Sequence, residues 1–236
     1  MSDRSDKIED YITDTIFPSG YIGYQQPALL SFVAAGNGFL PPDPARPFTY
    51  LELGCGSGVT LNPLAAANPG SSFIGVDFNE RHWEIARADA KAGSLSNVSY
   101  INASFEKMGP NDLPECDYIA IHGAFSWLAP AALSAVFRIL RERLKPGGLF
   151  YVDYLSAPER LPVEPLWYLL RQVTEGSHAS SETRAAEGME ILRRLSGAGA
   201  GYLTQNPRAH NILKKHLERV DGKNANALSH LAHHAL

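Results

Sequence analysis

The run YLELGCGSGVTLNPLAAA, Tyr50 to Ala67, decides how this chain folds. It opens as an apolar strand, turns through Gly54, Gly56 and Gly58, and continues into a helix-forming stretch rich in Leu and Ala. Glycine reaches backbone conformations closed to other residues and lets a ligand approach the main chain where a helix begins. Nineteen residues beyond Gly58, Asp77 ends the next apolar run. A carboxylate there accepts hydrogen bonds from ribose hydroxyls, the arrangement of ligands held where the strand order of an open sheet reverses. A dinucleotide fingerprint needs a further glycine at residue 59, and Val59 stands there, which weakens a nicotinamide reading.

Working outward, short apolar runs alternate with helical stretches from Phe48 to Tyr154. Strands are expected at FTYLEL, SFIGVDF, VSYIN, DYIAIH and GLFYVDYL, and helices near TLNPLAAAN, ERHWEIARADAKAG and AALSAVFRILRERL. Alternating β and α implies an α/β fold with a parallel, doubly wound sheet. In the last of these helices Val136, Phe137, Leu140 and Leu144 share one face, and KPGG is read as its stop. Residues 1–46 are expected to form an N-terminal helical lid and linker. They carry two helical patterns, SDKIEDYITDTIF and PALLSFVAAGNGF, around a Tyr- and Gly-rich loop, then the Pro-rich PPDPARP. Residues 47–155 form the core. Residues 156–236 read as helices alone, a region either substrate-facing or incomplete: PVEPLWYLLRQV, SSETRAAEGMEILRRL, NPRAHNILKKHLERV and NANALSHLAHHAL. With five strands legible, either the chain is an excerpt of a longer protein or helices replace further strands.

With Glu52 ahead of the glycines, ELGCGSG resembles motif I of the class I S-adenosylmethionine-dependent methyltransferases. The resemblance implies a Rossmann-like core with S-adenosyl-L-methionine as cofactor and S-adenosyl-L-homocysteine as product. It places Glu52, Gly54, Cys55, Gly56 and Gly58 around the cofactor's methionine end and Asp77 on its ribose. Phe78 flanks the adenosine or serves ordinary packing. In YINASFEKM, Ala103, Ser104 and Phe105 fall where the family holds the adenine. Ser104 stands where an Asp is more usual, and a hydroxyl also accepts from an adenine amino group, though less strongly.

The fourth strand and the turn after it, CDYIAIHGAFSWLAP, separate subgroups. The run lacks the Asn-Pro-Pro-Tyr type of sequence found in methyltransferases acting on DNA bases and on glutamine. His122, Gly123, Phe125 and Trp127, together with YVDYLSAP, resemble bacterial methyltransferases carrying a methyltransferase regulatory domain, among them rickettsial-type outer-membrane-protein lysine methyltransferases. The likeness covers roughly residues 20–236. Asp153 and Leu155 depart from it, since a small polar residue and an Asn are more typical. Methyl transfer from a sulfonium needs an aligned, neutral nucleophile, with no metal or covalent intermediate. A lysine amine, with a reference pKa of about 10.4, is neutral in roughly one molecule in a thousand near pH 7. Desolvation lowers that pKa. Phe125 and Trp127 either line an acceptor channel or fill the core and cap the next helix. Tyr154 is placed to aim an amine, and Asp153 to orient it or merely to start a loop. His122 is open to three roles: general base, pocket lining with Gly123, or structural hydrogen bonding. Tyr21 and Tyr24 sit with Gln26 on a loop that either closes over the site or lies on the surface.

The bulk properties set the remaining bounds. A chain of 236 residues, 44% apolar and 19% charged, is ordinary globular composition. A net charge of -4 without a basic stripe disfavours nucleic acid as partner. Cys55 and Cys116 are the only cysteines, so a disulfide framework or zinc site is not expected. The charged opening MSDRSDKIEDYITD and the lack of a long apolar run point away from secretion and from the membrane, toward a cytoplasmic setting. His230, His233 and His234 have metal-compatible spacing on a helix but no acid or cysteine near them, so no metal is expected. Three functions stay open: methylation of a protein lysine, methylation of a small molecule, and a non-catalytic S-adenosylmethionine-binding regulatory module. Oligomeric state is not legible in the sequence.

Overall fold

The computed structural model describes residues 7–8, 11–17, 20–109, 111–222 and 226–236. They fall into two compact units. One comprises residues 19–154; the other joins residues 1–18 to 155–236. The expected lid of residues 1–46 is therefore divided between the units.

Its first part is also not helical where it is described. Lys7–Ile8 (β1) pairs antiparallel with Tyr11–Ile12 (β2). The reason lies in the composition: Ile12, Thr13, Thr15 and Ile16 are β-branched and lose side-chain freedom in a helix. The second part does form the expected helix, Pro27–Gly36 (α1), with proline in its first turn. Ser31 Oγ hydrogen-bonds the Tyr118 hydroxyl at 2.7 Å and ties this helix to the sheet.

The sheet of the 19–154 unit follows the sequence expectation closely. Its strands and helices are Thr49–Leu53 (β3), Leu61–Ala67 (α2), Ser72–Asp77 (β4), Glu80–Ala92 (α3), Val98–Asn102 (β5), Cys116–Ile121 (β6), Pro130–Arg143 (α4) and Leu144–Val152 (β7). All five strands run parallel in the order β5-β4-β3-β6-β7. The order reverses between β3 and β6, so the crevice for a ligand opens beyond the carboxyl ends of these strands. Side chains alternate across the sheet. On one face Leu51, Leu53, Ile119 and Ile121 meet Ala135 and Ile139 of α4. On the other Tyr50, Phe73 and Tyr118 pack with Phe48 and with Leu61 and Leu64 of α2. Fully burying one such apolar side chain stabilises by about 1.5–3 kcal/mol.

Two details around α4 differ from the sequence expectation. The buried face consists of Ala132, Ala135, Val136 and Ile139, while Phe137 is 54% exposed. The helix stops at Arg143 and β7 begins at once at Leu144. KPGG thus lies inside the strand. The register against β6 shifts there, from Cys116↔Leu144 to Tyr118↔Leu149, which marks a bulge.

The second unit is helical in residues 155–236. Its helices are Ala157–Arg160 (α5), Glu164–Thr174 (α6), Ser181–Gly197 (α7), Gly201–Gln205 (α8), Pro207–Asp221 (α9) and Ala227–Ala235 (α10), and α6 to α10 build one apolar cluster that includes Trp167, Leu170, Met189, Leu192 and Leu213. Ile12 of β2 joins that cluster. The Asp14 carboxylate accepts from the Ser181 amide at 2.8 Å in the first turn of α7, and Thr15 donates to Glu182 at 2.7 Å. Among the described residues no helix is long and apolar enough to cross a membrane.

Candidate active site

Every expected cofactor residue lies at the carboxyl edge of the sheet in the 19–154 unit. Gly54, Gly56 and Gly58 all adopt positive φ, which explains the spacing that first marked the loop. The loop's amides are turned inward. Gly54 and Cys55 donate to the Val76 carbonyl, Gly58 donates to the Cys55 carbonyl, and Gly56 donates to Asp77 Oδ2 at 2.9 Å. Gly58 also makes room for a tyrosine, since a Cβ there would come within 2.5 Å of the Tyr100 hydroxyl. Cys55 is buried beside Gly75, and burial pushes its thiol well above the ordinary range.

Asp77, at the end of β4, is buried and heavily used. Oδ1 accepts from the Asn79 amide at 2.9 Å and from His82 Nδ1 at 3.3 Å, while Oδ2 takes Gly56. The Asn102 side chain, at the end of β5, donates to the Asp77 carbonyl, and the Ala103 amide donates to the same carbonyl. This places the segment Ala103–Phe105 beside Asp77. Phe105 is buried in the α4-side core, and its carbonyl accepts from Arg138. Phe78 is half-buried at the strand end.

Two buried side-chain oxygens at this edge have no hydrogen-bond partner among the described residues: Glu52 Oε2 and Ser104 Oγ. Buried polar atoms without partners are rare and mark where a ligand group belongs. They fit S-adenosylmethionine well, a carboxylate suiting its ammonium and a hydroxyl its adenine amino group. Burial raises the Glu52 pKa to about 8; the Gln25 amide opposes the shift and the Asp77 charge adds to it. Gln25, fully buried, does not stand out in the sequence beside its neighbour Gln26. Its carbonyl and side-chain oxygens both accept from the Tyr50 hydroxyl, at 3.2 and 3.3 Å. The nearby Ile22 amide donates to Thr60 Oγ1. The Tyr21–Gln26 loop is thereby fastened over the start of α2.

His122 and Asp153 come together at the ends of β6 and β7. His122 Nδ1 lies 3.2 Å from Asp153 Oδ2, and Asp153 Oδ1 accepts from the Gly123 amide at 2.7 Å. The Tyr151 hydroxyl is also 3.2 Å from Nδ1, and its ring stacks on the imidazole. Tyr24 meets both rings, edge-on to His122 at 5.8 Å and tilted to Tyr151 at 6.0 Å. Burial, then the charge of Asp153, raises the Tyr151 pKa, so this phenol stays protonated. The sequence points to Tyr154 and not to Tyr151. Yet Tyr154 is 68% exposed and holds no hydrogen bond among the described residues, because it lies beyond the end of β7. Phe125 is half-buried against the α4-side core and meets the exposed Phe137 edge-on. Trp127 is half-buried in a short 3-10 turn, Phe125–Trp127. Tyr21 accepts from the Gln26 amide at 3.0 Å. His230 and His233 pack against Phe17 in the helical unit, and His233 Nδ1 lies 2.8 Å from the Ser229 carbonyl.

A family model described as a methyltransferase domain matches residues 51–148. The uncharacterized protein sll1526 of Synechocystis sp. is 30% identical over 222 residues, 94% of this chain and 43% of that protein. Malonyl-acyl-carrier-protein O-methyltransferase 2 of Ilyobacter polytropus is 30% identical over 216 residues, 81% of each chain. Among solved structures, PKMT2 from Rickettsia typhi in complex with AdoHcy superposes with a TM-score of 0.65 at 22% identity, over 77% of this chain and 34% of that one. That likeness is one of fold. This chain spans less than half the length of the Synechocystis and Rickettsia proteins.

Proposed function

This chain belongs to the class I S-adenosylmethionine-dependent methyltransferases, and on that premise we propose that it methylates a lysine amine of a protein, with His122 taking the proton the amine must lose. The observation that carries the reading is the His122–Asp153 pair. With Nδ1 protonated between the Asp153 carboxylate and the Tyr151 hydroxyl, each 3.2 Å away, the imidazole keeps its Nε2 lone pair as the proton acceptor. S-adenosylmethionine supplies a methyl group on a sulfonium, open to in-line displacement by a neutral nucleophile.

Each residue has a part in preparing that nucleophile. Tyr24 and Tyr151 pack about the imidazole, and an aromatic face turned to the acceptor there attracts an ammonium by about 0.5–2 kcal/mol per contact before it is deprotonated. Asp153 holds both the His122 tautomer and the Gly123 amide, which keeps the loop after β6 fixed. Glu52, Asp77 and Ser104 hold the ammonium, the ribose and the adenine of the cofactor, with the loop Gly54–Gly58 between them. Tyr24 is 53% exposed, which suits an acceptor carried on a macromolecule.

The similarity to the Ilyobacter enzyme, even in its share of both chains, favours a second reading, methylation of a small-molecule or carrier-bound oxygen. Here too His122 removes a proton. Incubation with methyl-labelled S-adenosylmethionine and a cell extract, followed by separation of protein from small molecules, distinguishes the two. Label in acid-hydrolysed protein as methyl-lysine is the expected result. Label confined to the small-molecule fraction establishes the second reading. Cofactor binding without transfer to either fraction would leave a non-catalytic regulatory module.

A further inference from the structure

We infer that His82 is a positioning residue that sets how Asp77 receives the cofactor's ribose, an inference that rests on the ribose role of Asp77. His82 lies in the first turns of α3, and its side chain and that of Asp77 are each 8% exposed. An ionised carboxylate offers about four acceptor positions. Among the described residues, Asp77 Oδ1 has both of its positions taken, by the Asn79 amide and His82 Nδ1, while Oδ2 has one taken, by Gly56. One acceptor position remains, and it is on Oδ2.

His82 therefore does two things through Asp77. It adds a side-chain restraint on the rotation of the carboxylate to those of the Asn79 amide on Oδ1 and the Gly56 amide on Oδ2. It also fills Oδ1, so that a ribose hydroxyl is directed to Oδ2 and the diol is held through a single direct carboxylate bond. An imidazole buried against a buried carboxylate does more than fill space, since an apolar side chain would do that without a polar group to satisfy.

The test is calorimetric binding of S-adenosylhomocysteine and of its 2′,3′-dideoxy analogue to wild type, His82→Leu, His82→Asn and Asp77→Asn, each checked for folding by thermal unfolding. His82→Leu is expected to weaken S-adenosylhomocysteine by about tenfold and to leave the dideoxy analogue unchanged. His82→Asn, whose amide still donates toward Oδ1, is expected to recover most of that loss. Unchanged affinity for S-adenosylhomocysteine in His82→Leu, or an equal loss for both ligands, overturns the inference. If His82→Leu does not fold, His82→Met against His82→Asn gives the same two outcomes. Should Asp77→Asn leave the preference for the hydroxylated ligand intact, the ribose role of Asp77 falls and this inference with it. Should Asp77→Asn abolish that preference while His82→Leu does not, only the role of His82 falls.

Discussion

Glu52 shows how a single side chain couples the fold to the ligand. Its carboxyl, raised by burial to about pH 8, is mostly protonated at pH 7. The folded state then binds more protons than the unfolded chain, so this group's contribution to stability is full below about pH 4.5 and is lost as pH rises through about 8. Glu52→Gln removes that dependence, and its melting temperature is expected to gain on wild type as pH rises from 5 to 9. An ammonium brought beside Glu52 reverses the preference. Binding of S-adenosylhomocysteine near pH 7 is expected to release up to about one proton per ligand, read from calorimetry in buffers of different ionisation enthalpy. Glu52→Gln should release none at this site; equal release by both proteins would rule out the ammonium contact. The His122–Asp153 pair makes a kinetic prediction. Asp153→Asn keeps an acceptor for the Gly123 amide but turns an amide toward Nδ1, which shifts the imidazole proton to Nε2 and removes the base. His122→Ala and Asp153→Asn are each expected to lower kcat by about 10²-fold or more with little change in cofactor affinity. A wild-type kcat in either variant excludes His122 as base.

At the scale of elements, two glycines with nearly the same φ have opposite uses. Gly58, at φ 72°, is packed against Tyr100, whose hydroxyl donates to Asn62 at 2.7 Å; Gly123, at φ 71°, has no atom near the position its Cβ would take. Gly58→Ala is expected to cost about 2–4 kcal/mol in urea unfolding, combining left-handed strain with overpacking. Gly123→Ala is expected to cost only about 1–2 kcal/mol but to weaken cofactor binding, because Gly123 follows the carboxyl end of β6, where the cofactor is proposed to bind. Equal stability losses would contradict the packing role assigned to Gly58. The positions of these glycines, the five strands and Asp77 are legible in the sequence because strand–turn–helix chemistry is local. The pairing of His122 with Tyr151 is not. Tyr151 reads as one more apolar position in a strand, and only the parallel register of β6 on β7 puts its hydroxyl beside the imidazole. His82 is hidden for a similar reason, since helix α3 reads as a packing helix until its first turns fold back onto Asp77. The segment Tyr11–Ile16 misleads in the other direction, its spacing suggesting a helix while its β-branched residues and its tertiary partners in α7 favour extended chain.

For the whole molecule the consequence is a division of labour between two cores. The sheet unit has its own apolar clusters on both faces, and the helical unit has another centred on Trp167, Leu170 and Met189. All the residues proposed to hold the cofactor belong to residues 19–154. A ligand that binds only the folded form stabilises it by RT ln(1 + [L]/Kd), about 2.7 kcal/mol at a hundredfold excess over Kd. Applied to one unit, that slows hydrogen exchange through unfolding of that unit by about a hundredfold. With S-adenosylhomocysteine at that concentration, amides of β3, β4 and β5 are expected to slow by this factor. Amides of α7, whose protection comes from its packing with Leu170 and Met189 and from Asp14 at its start, are expected to exchange as before. Equal slowing in both sets would mean that the two cores unfold as one cooperative body, and slowing confined to α7 would move the cofactor site out of the sheet unit altogether.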